Sequence, residues 1–176
     1  MLVVGAPLAA ASSTPATGSA SCANTRLRPR PAVAHRIDAA ILCLIDQART
    51  AAGLQPLAAN GELSGVAGQQ VASMVSLDYF SDVRPSGQTP LMLISASAYP
   101  ANARTVMVGE IIAWGTGADA TPARIFSAWM ASPGHRAIIL SPGFADAGAA
   151  VTYRVPALLH AHGHGATYAV EFGARS

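Results

Sequence analysis

The segment GEIIAWGTGADATPARIFSAWMASPGHRAIIL, Gly109 to Leu140, decides how the chain folds. From Val106 to Trp114 both alternating sets of side chains are apolar apart from Glu110, as in a strand covered on both faces. Glu110 shares its face with Val108, Ile112 and Trp114, where an ionised carboxylate is costly unless something pairs with it or coordinates it. The pattern therefore predicts a partner for Glu110. Thr121-Pro122 reads as a helix start, with the hydroxyl capping free amides and the proline at the first helical position. Ile125, Phe126, Trp129 and Met130 then give that helix one apolar face. Ser132-Pro133-Gly134 breaks it and starts a short second helix, with Ser132 as cap and His135, Ile138 and Ile139 on one side. Glu110 and His135, a carboxylate and an imidazole on otherwise apolar faces, are candidates to meet.

Outward from this segment the residues resemble a family. Gly109-Glu110-Ile111-Ile112-Ala113-Trp114 is similar to the GEN-[IL]-A-W motif, and Trp129 to Leu140 is similar to W-M-x-S-P-G-H-R-x-N-I-L. Both belong to bacterial members of the CAP superfamily, or SCP domains. The resemblance runs from about Ile37 to Phe172, although Ile111 and Ile138 stand where these motifs have asparagine. Leu44 to Arg49 and Ala52 to Leu57 resemble the family's opening L-[IL]-N-x-x-R and A-G-L-x-P-L. Phe80 to Pro90 resembles F-[FS]-S-H-x-x-P-D-G-x-[TS]-P, whose histidine lines the family's central cleft; Asp82 occupies that place here. Ser141 to Gly148 resembles N-P-x-[FY]-x-x-[IV]-G. The second glutamate of eukaryotic members falls on Ser132 by register and is missing. The resemblance implies an α+β fold, a three-layer α-β-α sandwich with a small, mainly antiparallel sheet, and a cleft holding Glu110, His135 and Asp82.

The 176 residues, 51% hydrophobic and 11% charged, suit one domain of ordinary size. Residues 36–176 are expected to form it, preceded by an extended arm over 22–35 and by residues 1–21, read as the end of an export signal or as a disordered apolar tail. That apolar run is far too short to span a bilayer, so no transmembrane segment is expected. All 11 basic side chains are arginine, and a net charge of +2 is too small to argue for nucleic acid. Arg26, Arg28 and Arg30 alternate with leucine and proline and read as a solvated arm. Cys22 and Cys43 form an even pair suited to a disulfide in an exported protein. Two alternatives stay open: Cys43 as an unpaired core residue, and Cys22 as a lipid carrier.

Between arm and motif, Ile37 to Ala52 reads as an amphipathic helix closed by Gly53, and Asn60 caps a second helix carrying Leu63, Val66, Ala67, Val71 and Met74. Thr89-Pro90 starts a third through about Ala98. Ala149 to Val155 and Thr167 to Phe172 read as antiparallel strands joined by a loop rich in His and Gly.

Glu110 with His135 is the strongest candidate pair, read either as a buried orienting hydrogen bond or as part of a ligand or metal site. With Asp82 the two suit a divalent ion such as zinc, although no cofactor is required. Ser132 or Ser81 with His135 would be triad chemistry, which spacing alone does not establish, and Ser132 is already explained as a cap. His160, His162 and His164 alternate and would share one side of an extended backbone, as a metal site or as a solvated loop. The expectation is a monomeric bacterial CAP domain, secreted or at the cell surface. Its cleft, lined by Glu110, His135, Asp82 and Ser132, would bind a lipid, another small molecule, a cell-envelope component or a divalent cation without turnover. The rival is a metal-assisted hydrolase acting on peptide or cell-wall material.

Overall fold

Val106–Thr116 is one continuous strand in the computed structural model, which describes residues 21–176. The expected reading of residues 1–21 as a signal therefore falls almost wholly outside the described residues. In chain order the elements are α1 (Ala34–Ala51), β1 (Ala58–Ala59), α2 (Gly61–Ser76), α3 (Pro90–Ser95), β2 (Val106–Thr116), α4 (Pro122–Ala131), α5 (Pro133–Ile139), β3 (Asp146–Thr152) and β4 (Gly165–Arg175). The strands form one sheet in the order β1-β3-β4-β2. β4 pairs antiparallel with both β3 and β2, and only the two-residue β1 pairs parallel, with β3. The sheet is thus small and mainly antiparallel, as expected.

Because side chains alternate along a strand, each strand feeds two separate cores. On one face Ile111 of β2 and Tyr168, Val170 and Phe172 of β4 pack with Ile37, Ile41 and Ile45 of α1, Ile125 and Trp129 of α4 and Ile139 of α5. On the other, Ile112 and Ala169 meet Ala67, Val71 and Met74 of α2, beside a cluster of Leu63, Val66, Leu93, Ile94 and Tyr99. Helices cover both faces, which is the three-layer α-β-α sandwich. Gly148 makes the second layer fit, since a Cβ there would run into the backbone of Leu63 and Ser64 at the start of α2.

Two polar anchors lock the first layer. The Trp129 indole donates to the Ile112 carbonyl at 3.0 Å, tying α4 to the edge strand β2. Buried Arg49 donates to the carbonyls of Gln55, Ile139, Ser141 and Phe144, joining α1 to the loop that follows it, to the end of α5 and to the α5–β3 connection. The Cys22–Cys43 disulfide, with its Cα atoms 5.7 Å apart, ties the arm to α1. That settles the open alternatives for the cysteines in favour of the bridge.

Several ends differ from expectation. α3 stops at Ser95 rather than near Ala98, where the Ser97 hydroxyl takes up the Ile94 carbonyl at 2.7 Å and closes a turn. β3 begins earlier and ends sooner, and β4 extends in both directions, because it pairs with β2 over the whole length from Val106↔Arg175 to Thr116↔Gly165. Asn60 caps α2 by accepting from the amides of Glu62 and Leu63. Thr121 and Ser132 hold the N-cap positions of α4 and α5 without a side-chain cap bond. The Thr121 hydroxyl donates instead to the Ala118 carbonyl at 2.9 Å.

Candidate functional site

Glu110 does find a neighbour, and it is another acid. In the β2–β4 register Glu110 lies directly opposite Glu171, with both side chains on the α2 face. Directly opposed side chains stand about 4.5–5.5 Å apart at Cβ, where like charges destabilise a sheet. Glu110 is 7% exposed and Glu171 0%, and none of their four carboxyl oxygens has a hydrogen-bond partner among the described residues. Burial pushes both carboxyl pKa values well above the usual glutamate range. For Glu110 the Glu171 and Asp82 charges push further the same way, and for Glu171 the Asp82 charge does; Arg84 opposes the rise in both. Burial and mutual repulsion thus both favour the protonated form of the pair.

The loop after α2 closes over this pair, and Gln70 fixes it. Fully buried on α2, Gln70 donates to the carbonyls of Ser81 and Asp82 at 3.0 and 3.3 Å and accepts from Arg84 Nε at 3.0 Å. Tyr79 adds a hydroxyl bond to Ser73 Oγ at 3.0 Å. Arg84 is thereby held where its charge reaches both acids, with its buried Nη2 left without a partner.

Asp82 lies on the exposed side of that loop, and partial burial of its carboxyl raises its pKa while the neighbouring His135 lowers it. Asp82 and His135 therefore lie within electrostatic reach of each other, and Asp82 also reaches Glu110 and Glu171. No hydrogen bond joins Glu110 to His135, and the reason is geometric. α5 packs on the opposite face of β2, where a Cβ at Gly109 would meet Ile138 and Phe144, whereas Glu110 points toward α2. His135 is half-buried and meets the site beside Asp82. Ser132 is half-buried at the start of α5, and exposed Ser81 Oγ accepts from the Val83 amide at 3.2 Å.

The histidine-rich loop does not present its imidazoles as a row. His160 takes a left-handed conformation, φ 47°, after a single turn of 3-10 helix over Ala157–Leu159, so the alternation an extended backbone would give is broken. His160, His162 and His164 are all exposed. Among the described residues no three His, Cys, Asp or Glu side chains are gathered closely enough to hold a metal ion as they stand.

Glu171, Gln70 and Arg84 were not singled out from the sequence. Glu171 had a signature like that of Glu110, one acid set among apolar neighbours, Tyr168 to Val170 and Phe172. Gln70 and Arg84 carried no such signal, because a glutamine on a helix and an arginine in a polar turn are ordinary surface residues until the fold buries them.

The three-layer sandwich agrees with the comparisons to known proteins. The model of the cysteine-rich secretory protein family, CAP, matches residues 42–154. The chain belongs to that family. Among solved structures, it is similar to an outer surface protein of Borrelia burgdorferi, at 20% identity and TM-score 0.63, over 77% of this chain and 90% of that one. It is similar also to an extracellular protein containing an SCP domain from Bacillus anthracis, at 20% identity and TM-score 0.64, over 82% of this chain and 43% of that one. A cysteine-rich secretory protein of Staphylococcus aureus matches at 16% identity and TM-score 0.55, over 81% of this chain and 40% of that one. The chain thus spans less than half the length of the last two, and at these identities the likeness concerns the fold. No curated protein matches it in sequence.

Proposed function

We propose that this domain works outside the cell as a non-catalytic binding domain whose site, centred on Glu110 and Glu171 with Asp82 and His135 at its mouth, takes a divalent cation. The observation that carries the reading is the set of four buried carboxyl oxygens without a hydrogen-bond partner. Buried polar atoms are nearly always satisfied, and a buried acid pair left open is satisfied either by protons or by a cation. So little of either glutamate is exposed that an ion suits the site better than a bulky group. Glu110 and Glu171 would hold it from the sheet, and Asp82 and His135 are the side chains able to complete the shell from the loop and α5. Oxygen donors favour hard cations, while carboxylates with one imidazole still accept zinc. Protons and Arg84 compete for the same oxygens, so binding should be weak. The disulfide suits an oxidising compartment, and in the described residues no helix is long and apolar enough to cross a membrane.

Calorimetric titration with zinc, calcium and manganese tests this. Zinc should bind the native protein weakly, bind the Asp82→His variant more tightly, and be lost in Glu110→Gln. Equal zinc affinity in the native and Asp82→His proteins, or no binding of any of the three ions, defeats the reading.

A further inference from the structure

We propose a second binding site, for a small organic anion with a flat apolar body, in the cleft between the N-terminal arm and the loops at the far end of β2 and β4. A cavity of about 540 Å³ opens there, walled by arm residues Leu27 to Pro31 on one side and by Ala120, Tyr153 and His164 on the other. A volume of this order is ample for a drug-sized ligand. Its charge is one-sided: Arg28 and Arg30 line it, and no Asp or Glu does. Among the described residues Arg28 and Arg30 have no hydrogen-bond or ion-pair partner for their guanidinium groups. The nearby Asp119 carboxylate is directed to Arg124 at 3.8 Å. Flat apolar surfaces stand beside the cations, from the rings of Pro29 and Pro31 and from Tyr153, which is 48% exposed. Guanidinium groups and aromatic faces together suit an aromatic acid, the charge meeting arginine and the ring stacking.

What distinguishes this cleft from a chance gap is that its walls are pinned. The disulfide ties the arm to α1, and the Ala123 amide donates to the Thr25 carbonyl at 2.9 Å, tying the arm to α4. Across the cleft the Gly117 amide donates to the His164 carbonyl at 2.9 Å, joining the turn after β2 to the loop before β4. That turn needs glycine, because Gly117 has φ +55°. Gly165 lies so close under the neighbouring strand that a Cβ would meet the Gly115 carbonyl. The arm, read from sequence as merely solvated, becomes one wall of a preorganised cleft, and preorganisation is what lets a small ligand bind without an ordering cost.

The test uses the full, disulfide-bonded chain titrated with 2-naphthoate, 1-naphthyl phosphate and neutral 2-naphthol, followed by naphthyl fluorescence anisotropy. At least one anion should bind saturably at one site, about tenfold or more tighter than 2-naphthol, and weaken with added salt. Preference between the two anions tells a carboxylate ligand from a phosphate-bearing one. The exposed double variant Arg28→Ala/Arg30→Ala should lose about tenfold or more in affinity, and Arg136→Ala on α5 should lose nothing. Naphthol binding as tightly as the anions, full affinity in the double variant, or no binding of either anion overturns the proposal. None of these outcomes depends on the Glu110 site.

Discussion

Glu171 and Phe172 are consecutive in β4 and equally buried, each 0% exposed, yet they belong to different environments. Phe172 points toward α1 and α5, stacks at 5.4 Å from Phe144 in a tilted pair, and lies in the core that holds Ile111, Trp129 and Tyr168. Glu171 points toward α2 and faces Glu110 with no hydrogen-bond partner. Along β2 the same division separates Ile111 from Glu110. One face of the sheet is packed mainly for stability, with the Trp129 indole and the Arg49 guanidinium bonded to backbone carbonyls, although one carboxyl oxygen of Asp38 on α1 has no partner there among the described residues. The other encloses two acids that reduce stability whenever they ionise. A protein retains such a pair only if something outweighs its cost, and that cost is local to one face.

If the faces differ in this way, substitutions at adjacent residues should have opposite signs. Phe172→Ala removes a fully buried ring from the first core and should destabilise by about 3–5 kcal/mol, read by denaturant unfolding. A loss under about 1 kcal/mol would mean that this face is loosely packed and that the contrast with Glu171 does not hold.

Glu171→Gln keeps the shape and removes the charge, so its effect should depend on pH. Both carboxyl pKa values are raised in the folded protein above the ordinary value of 4.5. A raised folded pKa gives a contribution to stability that is full below the unfolded value and is lost as pH climbs through the folded one. The native protein should therefore melt higher near about pH 4.5 than near about pH 9, with the difference reduced in Glu171→Gln. At the alkaline end the variant should be the more stable by roughly 1–3 kcal/mol, several degrees in a chain of this length. Asp38, raised to about 7 by burial on α1, drifts in the same direction, so the informative quantity is variant minus parent. A variant that tracks the parent at every pH would remove Glu171 from the acid pair.

This division was half legible in the sequence. Alternation along Val106 to Trp114 marked β2 as covered on both faces and marked Glu110 as an acid in need of a partner, because burial of a charge is a one-residue inference. The partner was not legible from the first motif, because strand register is set by the whole sheet: β4 pairs with β2 across a long stretch of intervening chain. His135 was the natural candidate from spacing, but α5 covers the other face of β2, and helical periodicity does not reveal which side of a strand a following helix will take. The arm was legible as an arm and its disulfide as one option of three. Its role as a wall depends on the Thr25–Ala123 and Gly117–His164 backbone bonds, and backbone bonds leave no mark on side-chain identity.

The smallest expected effect sharpens the same contrast at the helix starts. From sequence, Asn60 and Ser132 looked alike, each a capping residue before a helix, one feeding α2 over the acidic face and the other α5 over the packed face. In the fold Asn60 Oδ1 accepts from two amides, at 3.0 and 3.1 Å, whereas Ser132 makes no side-chain cap bond. A cap bond is worth about 1 kcal/mol because it satisfies helix amides that have no intrahelical acceptor. Asn60→Ala should therefore lower stability by about 1 kcal/mol, and Ser132→Ala by less than about 0.5. Thermal melts of the two variants at one pH measure both. Equal losses would show that Ser132 caps α5 in solution, and that the start of this helix is held by the same chemistry as α2 rather than by Pro133 and the packing of Ile139 against α1 and α4.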